Sequence, residues 1–107
     1  MLLNGSYSAW FRTRQGEGTG VVELKDGKLI GDDTVIAYTG SYLEDGDRFT
    51  ASIVTERHSE GQPSVFGIDN VDITLTGKST ATLATCTGTA KQAPGLTFEA
   101  TLVRIKE

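Results

Sequence analysis

The feature that most constrains this chain is an alternation of period two, broken by turn-forming residues about every eight to twelve positions. From Asn4 onward Tyr7, Ala9 and Phe11 alternate with Ser6, Ser8, Trp10 and Arg12, and Arg14-Gln15-Gly16 ends the run. A second run, Thr19 to Lys25, stops at Asp26-Gly27, a dipeptide that accepts the positive φ angles of a two-residue hairpin turn. Lys28 to Ile30 is a short third strand, broken by Gly31-Asp32-Asp33. Thr34 to Leu43 sets Ile36, Tyr38 and Tyr42 on one face and Val35, Ala37 and Leu43 on the other. After Glu44-Asp45-Gly46-Asp47, Phe49, Ala51, Ile53 and Thr55 alternate with Thr50, Ser52, Val54 and Glu56 until Ser59 to Pro63. Ser64 to Asn70 reads as either an extended link or a short helical turn. Val71 to Thr76, Thr80 to Ala90 and Leu96 to Leu102 complete the series.

Fifteen Thr and thirteen Val and Ile reinforce the pattern, because β-branched side chains lose little on a pleated sheet and more in a helix. Eight such strands with no helix predict an all-β fold, an antiparallel up-and-down β-barrel, with a flattened sandwich as the alternative. Closure removes two exposed sheet edges. At 107 residues, area scaling buries roughly 65% of the unfolded surface. That is enough for one core, so residues 1–107 are expected to form a single domain.

The charge balance excludes more than it assigns. Fourteen acidic against ten basic residues, a net charge of −4, make a nucleic-acid partner a poor expectation. One Cys and one His can build neither an internal disulfide nor a zinc tetrad without carboxylates, so no metal or other cofactor is expected. No apolar run approaches the roughly 20 residues of a membrane helix. Met1 to Gly5 is too short to be a signal peptide, which points to a cytoplasmic location.

Catalytic constellations are equally sparse. Gly16-Glu17-Gly18-Thr19-Gly20 lacks the helix that a phosphate loop needs and reads as a glycine-rich bend or kink. His58 and Cys86 carry no positioning motif, and Cys86, inside the alternating Thr85-Cys86-Thr87, reads as a buried small hydrophobe. No enzymatic activity is expected. Asp32 with Asp33 and Asp69 with Asp72 read as turn chemistry. Glu44, Asp45 and Asp47 differ in crowding three like charges onto one hairpin tip, which suits a charged partner surface and equally a guard against pairing with another sheet edge. Trp10, on the more polar side of its strand, reads first as core packing, with the wall of a polar cavity or an interface anchor as the functional alternatives. The cations Arg12, Arg14, Arg48 and Arg57 fall at strand ends and are too few for a nucleic-acid surface.

Four segments carry a resemblance: Gly5 to Phe11, Gly18 to Gly27, Leu29 to Asp33, and Tyr38-Thr39-Gly40. In order and spacing they resemble the GrlR-type family of negative regulators of bacterial type III secretion genes, over about residues 4 to 58. The resemblance implies an eight-stranded, lipocalin-like barrel that forms homodimers and binds a transcriptional activator through an acidic motif of four consecutive carboxylates. The corresponding stretch here, Glu44-Asp45-Gly46-Asp47, retains three and has glycine in the third place. The expected function is therefore a non-enzymatic regulatory module whose partner-binding residues are Glu44, Asp45 and Asp47. The alternative is a carrier of an apolar or amphipathic small molecule, with Trp10, Tyr38 and Phe49 lining the barrel.

Overall fold

The alternation becomes eight antiparallel strands: β1 (Gly5–Thr13), β2 (Gly16–Lys25), β3 (Lys28–Asp32), β4 (Ile36–Asp45), β5 (Arg48–Arg57), β6 (Asp72–Ser79), β7 (Leu83–Ala90) and β8 (Ala93–Lys106). Each pairs with its neighbours in chain order, and β8 returns to β1, so the sheet closes into a barrel. The computed structural model describes residues 1–32, 36–57 and 70–106, and the side chains of Arg57 and Lys106 are not among those described. His58, Asp33, Asp69 and the stretch 64–69 lie outside the described residues. The all-β up-and-down barrel, lipocalin-like in its topology, is thus the observed fold.

Some boundaries differ from the sequence expectation. The glycine-rich stretch from Gly16 is extended and belongs to β2, where Gly18 lies beneath the ring of Phe11. The seventh strand starts at Leu83, because Thr80 closes a turn by donating its amide to the Leu83 carbonyl at 2.8 Å. β8 is longer than its alternating core and runs from Ala93 to Lys106.

One parity of each strand faces inward and forms a continuous apolar core. Tyr7 and Ala9, Val22 and Leu24, Tyr42, Phe49 and Ala51, Ile73 and Leu75, Ala84 and Cys86, and Phe98 to Leu102 at alternate positions supply it. Tyr7, Leu24, Phe49 and Val71 are the largest side chains with essentially no exposure. Gly77 and Gly88 mark a sharp bend between β6 and β7. A Cβ on Gly77 would stand 2.6 Å from the Cα of Cys86, and one on Gly88 would stand 2.8 Å from the Thr74 carbonyl carbon. The inward position has no room for a side chain where adjacent strands roll this tightly.

The turns sort into two ends. Asp26-Gly27, with φ of 50° and 84°, makes the hairpin read from the sequence. It shares one end of the barrel with the Gly46-Asp47 turn, the Thr80–Thr82 turn and residues 1–4. The Arg14-Gln15 and Lys91-Gln92 turns lie at the other.

Candidate functional site

The hairpin tip is built by register. Glu44 pairs with Phe49 and Asp45 with Arg48, which leaves Gly46 and Asp47 as the two turn residues. Gly46 takes φ 63°, the positive angle such a turn needs at its first position. A glycine in the third place of the acidic stretch therefore serves the turn. Alternation in β4 continues Tyr38, Tyr42 and Glu44 on the inner side, so Glu44 is half-buried while Asp45 and Asp47 are exposed.

Glu44 faces an end that residues 1–4 cover like a strap. Its carboxylate accepts the Leu2 amide at 3.0 and 3.1 Å and the Ser79 hydroxyl at 2.6 Å. The Leu2 side chain is buried in the core beneath. The Leu3 amide donates to the Ala81 carbonyl at 2.9 Å, and the Tyr7 hydroxyl donates to the Leu3 carbonyl at 2.6 Å. Asn4 exchanges hydrogen bonds with Asp26, and its carbonyl accepts from the Arg104 guanidinium at 2.8 Å. Burial pushes the Tyr7 phenol above its usual range, and Tyr42 likewise. The Ser79 amide donates to the Asp47 carbonyl at 2.8 Å, so the turn is clamped at its base. Among the described residues the side chains of Asp45 and Asp47 make no ion pair or hydrogen bond, and Arg48 and Lys78 stand beside them in the ladder.

The three aromatic residues expected to line the barrel do not meet. Phe49 stacks on Tyr42 with ring centroids 5.7 Å apart, within the core near the strap. Tyr38 is half-buried, and its ring meets Phe11 edge-on at 5.6 Å, with Phe11 stacked on Phe98 at 5.9 Å. Trp10 is corrected outright as a lining residue: it has the parity of Ser8 and Arg12, lies on the outer surface and is 45% exposed.

On that outer surface Trp10 has apolar company. Register places Leu83, Val103, Ser8 and Val21 side by side across β7, β8, β1 and β2. The adjacent row is Thr85, Thr101, Trp10 and Thr19. Leu83, Val103 and Val21 are all substantially exposed, with Ile105 further along β8. Arg12 borders this face, its guanidinium 5.8 Å from the indole centroid and bonded to Glu99 at 2.8 Å. Single exposed apolar residues are ordinary, whereas four of them within two adjacent rows form a candidate contact surface. Sequence reasoning had passed over this face because its members are scattered from residue 8 to residue 105.

Cys86 is buried, its Sγ 3.6 Å from the Ala100 carbonyl oxygen, and burial pushes its thiol up to about 11. A thiol so held has little thiolate at neutral pH and is a poor nucleophile. Among the described residues no three His, Cys, Asp or Glu side chains are grouped to hold a metal ion. Among the described residues no helix is long and apolar enough to cross a membrane. No family model matches the chain, and no curated protein matches it either.

Proposed function

We propose that this protein is a non-enzymatic regulatory module that binds protein partners with the outside of its barrel. The observation that carries this reading is the clustering of exposed Leu83, Val103, Val21 and Trp10 in two adjacent rows on the solvent side of strands whose inner side already forms a core. Such a face suits a second copy of the chain meeting across a two-fold axis, where the same patch serves both subunits. The hairpin tip supplies the second contact. Asp45 and Asp47 project from a clamped turn without side-chain partners among the described residues, so presenting them to a basic surface requires little ordering at binding. A basic transcriptional activator is the partner class that the resemblance to the GrlR-type family suggests, with its cationic DNA-binding surface covered by the acidic barrel.

The test is a charge reversal. Asp45→Lys with Asp47→Lys should lower the affinity for a basic DNA-binding activator and leave the unfolding midpoint unchanged. Retained affinity would overturn the role of the tip. A second reading, carriage of a small apolar ligand, is favoured by the aromatic group of Phe11, Tyr38 and Phe98 at the end opposite the strap. Native mass spectrometry of freshly purified protein separates the two, because a carrier arrives with added mass.

A further inference from the structure

β1 and β8 pair from Ser6 with Lys106 to Arg12 with Glu99. β8 begins six residues earlier, at Ala93, and the described register between β1 and β8 ends at Glu99. Continuing the register would set Arg14 opposite Thr97, but the chain turns back at Arg14-Gln15 and enters β2 at Gly16. β8 is loosened on its other side too. The register against β7 shifts between Gly88, opposite Phe98, and Ala90, opposite Ala93, so among the described residues the ladder assigns no partner to 94–97. Beside the end of the β1–β8 ladder lies a surface groove of about 360 Å³, lined by Arg12, Thr13, Arg14, Gly95, Thr97 and Glu99.

We propose that this seam is a docking site for a short extended peptide segment bearing a carboxylate. Two properties of the groove select that occupant. Gly95 and Thr97 bring strand backbone to its wall beyond the end of the β1 ladder, and an added strand recognises such an edge through main-chain hydrogen bonds. Charge then discriminates. Glu99 is bonded to Arg12, whereas Arg14, exposed on the turn, has no hydrogen-bonding or ionic partner among the described residues. Glu17 stands across the ladder from Arg12 as a second carboxylate on that cation, so it is Arg14 that is left to meet a carboxylate, which a guanidinium can bind bidentately. Pro94, which has no N–H, and the register shift keep the edge short, so a long strand from another sheet cannot extend along it. The volume suits a few residues and lies at the lower end of ligand-sized clefts. This site is separate from the apolar face and the hairpin tip and goes beyond the reading above.

The experiment is a titration of the full ¹⁵N-labelled chain with a blocked hexapeptide alternating valine and aspartate. Comparison peptides carry lysine for aspartate or an N-methylated backbone, and N-acetyl-aspartate serves as a free anion. Saturable shifts are expected at the Arg14, Gly95 and Thr97 amides, with affinity in the range of about 0.1 to 1 mM that a few contacts provide. Affinity should fall about tenfold with the lysine peptide or in Arg14→Glu, and about as much on backbone methylation, since each removes one charge-assisted or main-chain contact. Arg14→Glu lies on an exposed turn, and an unchanged unfolding midpoint confirms that it folds. No shift at those amides, equal binding of the aspartate and lysine peptides, or N-acetyl-aspartate binding as well as the peptide would each overturn the proposal.

Discussion

The Leu2 amide donates to both carboxylate oxygens of Glu44, at 3.0 and 3.1 Å, across 42 residues of chain. This contact turns one member of an acidic hairpin into an internal anchor. It holds the Leu2 side chain over the end of the core, and burying a leucine is worth roughly 1.5 to 3 kcal/mol. Glu44→Ala removes the acceptor for Leu2 and for the Ser79 hydroxyl. It should destabilise the barrel by about 1 to 3 kcal/mol in urea unfolding and speed hydrogen exchange at Leu2 and Leu3. Lysine at Asp45 or Asp47 should stay within about 0.5 kcal/mol of the parent, as exposed substitutions do. If Glu44→Ala is as stable as the parent, the strap is not held by this carboxylate.

The bend between β6 and β7 predicts a second asymmetry. Alanine at Gly77 or Gly88 drives a Cβ against the backbone of the neighbouring strand, which flexible side chains cannot relieve. Each should cost about 3 kcal/mol or more, at the upper end of overpacking effects. Alanine at Gly16, where a Cβ meets nothing within 4 Å and φ is not positive, should leave the thermal midpoint nearly unchanged. Equal effects at the three positions would show that the bend relaxes.

Much of this architecture is legible in the chain because turns and alternation are local. Asp26-Gly27 announces its hairpin, and the common face of Tyr7 and Ala9 is the buried one. Which face of β7 points inward is harder to read, since the outward Thr85, Thr87 and Thr89 carry methyl groups while the inward Ala84, Cys86, Gly88 and Ala90 are small. The apolar contrast between the two faces is slight. Trp10 breaks the usual correlation by standing outside. Glu44 was legible by parity with Tyr42 two residues earlier, but its neighbours Asp45 and Asp47 group it with the tip by charge. The strap has no local signature, because its partners are at residues 26, 44, 81 and 104.

The exposed face across β7, β8, β1 and β2 makes the oligomeric state sensitive to single charges. If a second copy covers this face, Val103→Lys or Trp10→Glu places a desolvated charge at the centre of the contact. Sedimentation should then report a dimer for the parent and a monomer for each variant, with thermal stability falling only by the lost association. Val54→Lys is the control, an equally exposed apolar residue on β5 and outside the row. Monomeric parent protein, or loss of the dimer in the control alone, removes this face as the self-contact.

Cys86 gives stability a pH dependence whose sign follows from its environment. Burial raises the thiol from an ordinary 9.0 to about 11 in the folded protein, so between those values the unfolded chain releases a proton that the folded one retains. The contribution is complete below about pH 9 and is lost as pH rises toward 11. The shift corresponds to on the order of 2 to 3 kcal/mol. Tyr7 and Tyr42, also raised by burial, push in the same direction, so the cysteine must be isolated by comparison. Cys86→Ala removes the sulfur and should cost about 1 kcal/mol at pH 8 from the small cavity. Its stability should then fall less steeply than the parent's on going to pH 11, and the difference between the two proteins should shrink or change sign. A thiol reagent at pH 8 should label the parent only as fast as it unfolds. Parallel urea midpoints for the two proteins across this range would show that the thiol titrates normally in the folded barrel.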